Sequence, residues 1–365
     1  MNTRRLICTL ALLAASGCDT PSSDDTGTTG TDSGMTDGGG SADVPDTGPA
    51  ADFATPVGEW TYVEIPGGAC GNGSPYGVAI NRSATSDRLL VFMQGGGACW
   101  DNLTCNVIPF ASHTGENVSS ATVIGEATSL EPYLFSRDGD VNPFANTTFV
   151  YLPYCTGDVH VGDSVNDYTG GTIHHAGYRN VTGVLNGLRG IAPSTDHVWL
   201  TGASAGGYGT LVNWYRFREA FPTARVDALD DSGPPVDISP DRWTEMMAAW
   251  NVPAPTGCPD CLDGLSNVTE FYQREVTDGD RYALLQYTQD STIRTYTGLS
   301  ASGLETAVRA LVEPYAATSS HRVFILAGDS HVVLSNPSRT SGGVVASDWV
   351  RAFATDGAGW DNVVP

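Results

Sequence analysis

The feature that most constrains the fold is an alternation, from residue 59 onward, of short apolar runs with longer amphipathic stretches. Nearly continuous apolar runs are typical of strands in a parallel sheet covered on both faces, and here they span residues 89–93, 148–152, 198–200, 226–229, 282–285 and 323–326. Helices are predicted between them, over 176–190, 205–219 and 304–316. Strand and helix in alternation favour an α/β doubly wound sheet. Residues 234–280 are longer than a plain crossover, so we interpret them as a cap or lid insertion.

A candidate nucleophile lies between one of these strands and the next helix. Residues 202–206 read Gly-Ala-Ser-Ala-Gly, which places Ser204 in a G-x-S-x-G motif in the required strand–turn–helix setting. The glycines relieve clashes around a very tight turn, and the start of the helix favours developing negative charge. The pattern therefore indicates a catalytic serine rather than an ordinary turn.

A glycine-rich loop, Gly95-Gly96-Gly97, follows an upstream strand. In hydrolases with a serine elbow, a loop at this place donates backbone N–H groups to an oxyanion, together with the residue after the nucleophile. We therefore predict Gly96, Gly97 and Ala205 as the oxyanion donors. A phosphate-binding loop is disfavoured because no Gly-Lys-Ser/Thr follows, and the chain contains no lysine.

The serine needs a base and an acid, which follow it in the order Ser, acid, His in this fold. Only two histidines follow Ser204. His321 precedes the last predicted strand, whereas His331 follows it, at the strand end where ligands bind in such sheets. His331 is thus the predicted base. Spacing alone leaves the acid open among four residues: Asp290, Asp230, Asp231 and Asp329.

The N-terminal residues predict export. Residues 1–17 combine two arginines with a short apolar stretch, as in a signal peptide, and Cys18 follows small residues as in a bacterial lipoprotein signal. Over residues 18–52 the sequence predicts a lipidated cysteine and a disordered tether rich in Asp, Thr and Gly. A catalytic domain is predicted over 53–365. We expect a location in the cell envelope, anchored to a bacterial membrane by lipid, or secretion if the signal is an ordinary one.

Export also favours disulfides among the six remaining cysteines, for which fifteen pairings are possible. Cys99 with Cys105 and Cys258 with Cys261 are near in sequence, which leaves Cys70 with Cys155. Zinc at the C-x-x-C of Cys258 is the alternative, but no second C-x-x-C or well-spaced histidine pair accompanies it. No metal and no organic cofactor are predicted.

The charge balance and the lengths of the apolar runs limit which partners the protein is expected to bind. The chain has 18 Lys+Arg against 41 Asp+Glu, a formal net charge of −23, so binding to a nucleic acid backbone is not expected. No apolar run is long enough for a transmembrane helix, and membrane contact is expected only through the lipid anchor. We expect a monomer.

Several motifs together resemble the pectin acetylesterase/Notum family of carboxylesterases. They lie within residues 60–335: Gly95-Gly96-Gly97-Ala98-Cys99, Tyr154-Cys155-Thr156-Gly157-Asp158, Gly202-Ala203-Ser204-Ala205-Gly206-Gly207, Asp231-Ser232-Gly233 and Asp290-Ser291. The resemblance implies an α/β-hydrolase-like fold with a mostly parallel sheet, and a triad of Ser204, Asp290 and His331. It also implies the pairing Cys99–Cys105 and supports Cys70–Cys155. One departure concerns an aromatic residue that family members commonly have within or after the glycines. This chain has Gly97-Ala98 there, and its tryptophan comes only at Trp100.

Three further residues are candidates for lining the site: Asp158 and His160 just after a strand end, and Trp100. His174-His175 is interpreted as a surface or supporting pair. The function predicted is an exported serine carboxylesterase that removes acetyl or other short acyl groups from a glycan or a small ester. The alternatives are a Notum-like hydrolase of longer acyl esters, which needs a deep apolar pocket, and a non-catalytic binding module on a hydrolase fold.

Overall fold

An eight-stranded, mostly parallel sheet organises the computed structural model, which describes residues 50–276 and 279–365. The strands are β1 (Thr61–Ala69), β2 (Pro75–Asn81), β3 (Leu89–Met93), β4 (Thr148–Leu152), β5 (Ser164–Tyr168), β6 (Gly171–His175), β7 (His197–Ala203), β8 (Arg225–Asp231), β9 (Tyr282–Tyr287), β10 (His321–Leu326), β11 (Thr340–Ser341) and β12 (Val344–Val345). The large sheet has the order β1-β2-β4-β3-β7-β8-β9-β10. β1 and β2 pair antiparallel, as do β2 and β4, and every later neighbour is parallel.

Helices cover both faces of this sheet. They are α1 (Ser120–Thr128), α2 (Gly177–Ile191), α3 (Ala205–Ala220), α4 (Pro240–Trp250), α5 (Leu265–Glu275), α6 (Ser291–Thr297), α7 (Ala301–Ala310), α8 (Val312–Ala316) and α9 (Ala346–Ala354). Alternate residues of β3 enter two separate cores: Leu89 and Val91 pack with α2 and α3, while Leu90 packs with α1 and α9. Side chains of a strand point alternately to its two faces, so a strand buried on both sides is apolar throughout. The predicted α/β fold is confirmed.

The predicted helix over 304–316 is wrong in one respect, because the structure has two helices there. α7 ends at Ala310, and α8 begins at Val312 after a break at Leu311. Pro314 has no N–H group to donate to the carbonyl of Ala310, so a continuous helix would lack that hydrogen bond. The predicted strands lie within observed strands. Further elements for which the sequence carried no prediction are β1, β2, the β5–β6 hairpin, α1, α6 and α9.

The structure contains the three expected disulfides: Cys70–Cys155, Cys99–Cys105 and Cys258–Cys261. The first joins the loop after β1 to the loop after β4, the second closes the segment after the glycine loop, and the third closes a 3₁₀ turn, Pro259–Leu262. Because the two cysteines of C-x-x-C are bonded to each other, the zinc alternative at Cys258 is not supported.

The chain between β8 and β9 contains α4, the 3₁₀ turn and α5, within the insertion expected at 234–280. The predicted signal peptide at residues 1–17, the lipidation site at Cys18 and the tether as far as residue 49 lie outside the described residues. The tether's predicted boundary at 52 needs correction, because Ala51 is already buried in the core together with Phe53 near Gly187 of α2. In the described part of the chain, we find no helix with the length and apolarity needed to span a membrane.

Candidate active site

The turn at Ser204 joins β7 to α3 in a conformation that side chains rarely adopt. Its backbone has φ 58° and ψ −118°, which is unfavourable for a residue with a Cβ. The flanking glycines make the turn possible, since a Cβ on Gly202 would overlap the carbonyl of Gly206, and one on Gly206 would overlap the carbonyl of Met93 in β3. The Ser204 N–H donates to the carbonyl oxygen of Asp231 at 2.8 Å. The serine is thereby held at the end of the sheet and the start of a helix.

The loop Gly95-Gly96-Gly97 lies directly against this turn. A Cβ on Gly95 would be 3.0 Å from the Cβ of Ser204. Gly96 and Gly97 have φ values of 155° and 80°, in the region that favours glycine. Within the described residues, the N–H groups of Gly96, Gly97 and Ala205 donate to no backbone or side-chain acceptor. The three predicted oxyanion donors are therefore available to a ligand beside the serine.

His331 and Asp290 are brought together from the loops that follow β10 and β9. The His331 Nδ1 lies 2.7 Å from Asp290 Oδ2, and Asp290 is fully buried while the His331 side chain is 21% exposed. The other Asp290 oxygen accepts from the N–H groups of Thr292 and Ile293, each at 3.0 Å, and so caps α6. This geometry fixes the imidazole with Nδ1 toward the carboxylate and leaves Nε2 free for a reacting group.

The other acid candidates occupy different positions. Asp230 is buried and accepts from the Tyr282 hydroxyl at 2.6 Å, and burial raises the pKa of Asp230 well above its ordinary value. Asp329 is exposed. The Asp231 carboxylate accepts from the N–H groups of Val333 and Leu334 rather than from His331. Among the described carboxylates, only Asp290 is hydrogen-bonded to the His331 ring.

Ser204 is the triad candidate whose side chain is not hydrogen-bonded to the other two. Within the described part of the chain, its hydroxyl has no hydrogen-bond partner, and the residue is 8% exposed. His321, the histidine set aside on sequence grounds, is the first residue of β10 at the opposite end of that strand. Burial lowers the pKa of His321 to about 3, so this imidazole stays neutral in the core.

Asp158, His160 and Trp100 do not line the site, so that prediction is wrong. All three are buried, and none of them lines the cavity beside Ser204. Asp158 accepts from the N–H groups of His160, Gly162 and Gly177 at 3.1, 3.1 and 2.8 Å. Its carboxylate thus organises a turn and the start of α2.

His160 supports the glycine loop from behind. Its Nε2 lies 2.9 Å from the carbonyl oxygen of Gln94, the residue before the glycines. Burial lowers the pKa of His160, so the neutral ring donates this hydrogen bond.

Trp100 packs in a small core with Trp250 and Met246. His175 is also buried, and its Nδ1 contacts the Thr156 carbonyl at 2.9 Å. Cys99, Cys105 and His175 come close enough to hold a metal, but the two sulfur atoms are bonded to each other and are therefore not thiolate ligands.

An apolar cavity opens beside Ser204. The space between its walls and across its open mouth is about 800 Å³, which includes open solvent. Ser204, Tyr208 and Val212 line it at intervals of one turn along α3. The insertion supplies most of the opposite wall, through α4, the 3₁₀ turn and the start of α5: Trp243, Met246, Met247, Trp250, Cys261, Leu262, Leu265 and Val268.

These cavity residues were not predicted, although the sequence contains a signal for some of them. Trp243, Met246, Met247 and Trp250 recur at intervals of three and four, which predicts one apolar face of a helix. That pattern alone does not tell a face packed on the core from a face that lines a cavity. The position of α4 in the structure, opposite Ser204 and α3, shows that this face lines the cavity.

These features define a class: an α/β-hydrolase-like protein with a serine turn and a histidine–aspartate pair at the carboxyl ends of parallel strands. The sequence model of the family described as Pectinacetylesterase matches residues 58–251, more than half of the chain. The protein belongs to this family. The match covers the glycine loop and Ser204 but ends before Asp290 and His331. The hydrogen bond between these two residues is seen in the structure alone.

Named relatives are similar over about half of this chain. The palmitoleoyl-protein carboxylesterase NOTUM of Homo sapiens is 30% identical over 190 residues, which are 49% of this chain and 36% of that protein. Notum1a of Danio rerio, also named a palmitoleoyl-protein carboxylesterase, is 27% identical over 207 residues, 53% of this chain and 39% of the relative. Notum1b of the same organism, 29% identical over 96 residues (26% of this chain and 66% of that protein), is named inactive. The matched region thus spans little more than a third of the carboxylesterases compared.

A substitution in the glycine loop tests the oxyanion assignment. In Gly97→Ala, the new Cβ would overlap the Phe110 carbonyl and the Tyr296 hydroxyl, and φ is 80°. The loop must therefore change its position relative to Ser204, and we expect kcat for a p-nitrophenyl ester to fall by about 10²–10³-fold. Gly67→Ala is the matched control, since its φ is 74° but its Cβ would meet open space. Equal kcat values for the two variants would contradict the assignment.

Proposed function

We propose that the protein is an exported serine carboxylesterase that hydrolyses esters of apolar acyl chains, with Ser204 as nucleophile. The observation that carries the proposal is the apolar cavity opening on Ser204, beside three free N–H groups and within the same strand-end edge as the Asp290–His331 pair. A carboxylesterase needs a nucleophile, a base, oxyanion donors and space for the acyl group, and each has a candidate at this edge.

The reaction begins when the ester carbonyl lies between the serine and the oxyanion donors. His331 takes the Ser204 proton on Nε2 as the hydroxyl oxygen attacks the carbonyl carbon, while Asp290 stabilises the imidazolium through Nδ1. The carbonyl oxygen becomes an oxyanion that accepts hydrogen bonds from Gly96, Gly97 and Ala205. His331 then returns the proton to the leaving alcohol, and an acyl-enzyme remains.

The second half of the reaction regenerates the serine. Water attacks the acyl-enzyme carbonyl, and His331 takes a proton from the water as it did from Ser204. The same three N–H groups stabilise the second oxyanion. Collapse of this intermediate breaks the bond to Ser204, returns the proton to the serine oxygen and releases the carboxylic acid.

The shape of the cavity favours longer acyl groups over acetyl. Ser204 and Val212 are separated by eight residues of α3, about 12 Å along a helix axis, and both line the cavity. An acetyl group would fill only its mouth, whereas a longer chain would bury its methylene groups, at about 0.8 kcal/mol each. The sequence favoured acetyl, whereas the apolar lining beside Ser204 supports the alternative of a longer acyl chain. The relatives named palmitoleoyl-protein carboxylesterases are consistent with this choice.

The charges around the site also disfavour a polyanionic substrate. The domain over 53–365 has 16 Arg and 33 Asp+Glu, a net charge of −17. Arg242 and Arg294 lie close to the site, but both guanidinium groups bond backbone carbonyls. Among the described residues, no arginine lines the cavity. An acidic glycan would therefore approach an acidic domain whose described cavity lining offers it no arginine.

Export is part of the proposal, and the three disulfides support it because such bonds persist in oxidising compartments. The lipid at Cys18 belongs to the same proposal. Mass spectrometry of the mature N-terminus tests it, since a first residue that is Cys18 carrying acyl chains is expected. An unmodified N-terminus beyond Cys18 would contradict the anchor but not the esterase.

Activity on a series of p-nitrophenyl esters tests the function. We expect residues 50–365 to hydrolyse octanoate and longer esters with higher kcat/KM than acetate, because the longer chains fill the cavity. Ser204→Ala should lose nearly all turnover while remaining folded by circular dichroism. A clear preference for acetate would support the short-acyl esterase instead. A wild-type protein as inert as the variant on every ester would support a binding module.

A second substitution tests whether the cavity holds the acyl chain. Val212→Phe narrows it two helical turns from Ser204, so kcat/KM for long esters should fall at least tenfold while acetate hydrolysis changes less than twofold. Val165→Phe makes the same type of change at a residue that is 50% exposed in β5, and it should leave the whole series unchanged. An equal loss for acetate and long esters in Val212→Phe would indicate general damage rather than a blocked cavity.

A further inference from the structure

The end of β8 contacts both of the loops that carry the proposed nucleophile and base. Asp231 is the last residue of this strand and is buried. Its backbone carbonyl accepts the Ser204 N–H at 2.8 Å. Its carboxylate accepts the N–H groups of Val333 and Leu334, each at 2.8 Å. A single residue is thus bonded to the nucleophile turn and to the segment that directly follows His331.

Ser232 extends this contact to a third consecutive N–H group. Its hydroxyl oxygen accepts from the Val332 N–H at 3.2 Å and donates to Asp231 Oδ1 at 3.0 Å. Its own N–H donates to the Leu285 carbonyl of β9 at 2.9 Å. The N–H groups of residues 332–334, immediately after His331, therefore all bond to Asp231 or Ser232.

Three of the eight described non-glycine residues with positive φ lie at the same place. Ser204, Ser232 and Val332 have φ values of 58°, 68° and 61°, in a region that is unfavourable for residues with a Cβ and especially for a β-branched valine. Such conformations persist only where surrounding contacts determine them, and they cluster at functional sites. The three strained residues are linked through the hydrogen bonds of Asp231 and Ser232, so these bonds supply the constraint.

We infer that Asp231 is a positioning residue for the proposed reaction, which holds the Ser204 turn and the His331 loop in their mutual arrangement. This inference rests on the proposed function of Ser204 and His331. Asp231 does not touch the reacting atoms; it acts through the backbone on either side of them. Asp290 orients the imidazole ring, whereas Asp231 fixes the chain from which the ring extends.

The carboxylate form is required for this role. An ionised carboxylate accepts hydrogen bonds at both oxygens, whereas an asparagine would place an NH₂ group against one of the two loop N–H groups. Burial raises the pKa of Asp231 to about 6, against the opposing effects of its hydrogen bonds and of His331. The titratable groups around it are His331, Asp230, Tyr133 and Tyr287. Proton uptake by Asp231 on acidification would thus weaken its hydrogen bonds to the N–H groups of Val333 and Leu334.

The test compares Asp231→Asn with wild type as a function of pH, using a long-chain p-nitrophenyl ester and active sites counted with a fluorophosphonate. We expect kcat per active site to fall by roughly 10- to 100-fold, because a small misplacement of a catalytic group costs this much, while KM changes less than threefold. The acidic limb of kcat/KM should move to lower pH, since the residue at position 231 no longer takes up a proton on acidification.

Asp227→Asn is the matched control. Asp227 is a fully buried carboxylate of the same strand, paired with His197 at 2.9 Å and with Arg225. It lies four residues from Asp231, about 13 Å along the strand. This variant should lose thermal stability but keep the wild-type kcat per active site and acidic limb. If Asp231→Asn does not fold, Ser232→Ala serves as the second variant, with an expected fall in kcat of about threefold or more and an unmoved acidic limb.

The outcomes of these experiments distinguish the positioning role of Asp231 from the proposed carboxylesterase function. A folded Asp231→Asn protein with kcat and acidic limb equal to those of wild type would overturn the positioning role, and so would an equal effect of Asp227→Asn. If Asp231→Asn does not fold, a wild-type kcat in Ser232→Ala would overturn it. A wild-type protein that neither hydrolyses the esters nor reacts with the fluorophosphonate would overturn the proposed function itself.

Discussion

Parallel pairing of β3, β7, β8, β9 and β10 is the constraint on which the rest of the structure depends. Because these strands run in one direction, the loops that follow them all emerge at one edge of the sheet. The glycine loop, Ser204, Asp231, Asp290 and His331 each follow or end a different strand of this set. Residues as distant in sequence as 95 and 331 are therefore placed at the same edge of the sheet.

Close packing at this edge explains the residue types found there. The Ser204 turn presses on β3 so closely that Gly206 has no room for a side chain, and the loop before it approaches Ser204 so closely that the same holds for Gly95. Because glycine has no side chain, its N–H group stays accessible to a ligand. The disulfide Cys99–Cys105 and the buried His160 then fix the loop from the side away from the cavity. The site is thus built from backbone held rigidly by its surroundings.

Much of this arrangement was predictable from the sequence, because it depends on local patterns. Buried strands, the helix after Ser204 and the placement of His331 after β10 follow from periodicity and chain order. Asp290 could not be chosen by spacing alone, since Asp230, Asp231 and Asp329 also lie at strand ends; the contact with His331 distinguishes it. Asp158 and His160 were misassigned because a strand-end position does not reveal whether a side chain points toward the ligand or back into the core. The cavity escaped prediction because its walls come from α3 and from an insertion whose orientation no local pattern specifies.

The central claim is that Ser204 carries the acyl group and that the cavity beside α3 holds it. The most direct measurement is a crystal structure of the protein after reaction with a long-chain alkyl fluorophosphonate, which mimics the tetrahedral intermediate. The account predicts phosphorus bonded to Ser204 Oγ, a phosphoryl oxygen within hydrogen-bonding distance of the N–H groups of Gly96, Gly97 and Ala205, and the alkyl chain passing Tyr208 toward Val212. An adduct on another residue, or a chain that leaves the cavity empty, would contradict it.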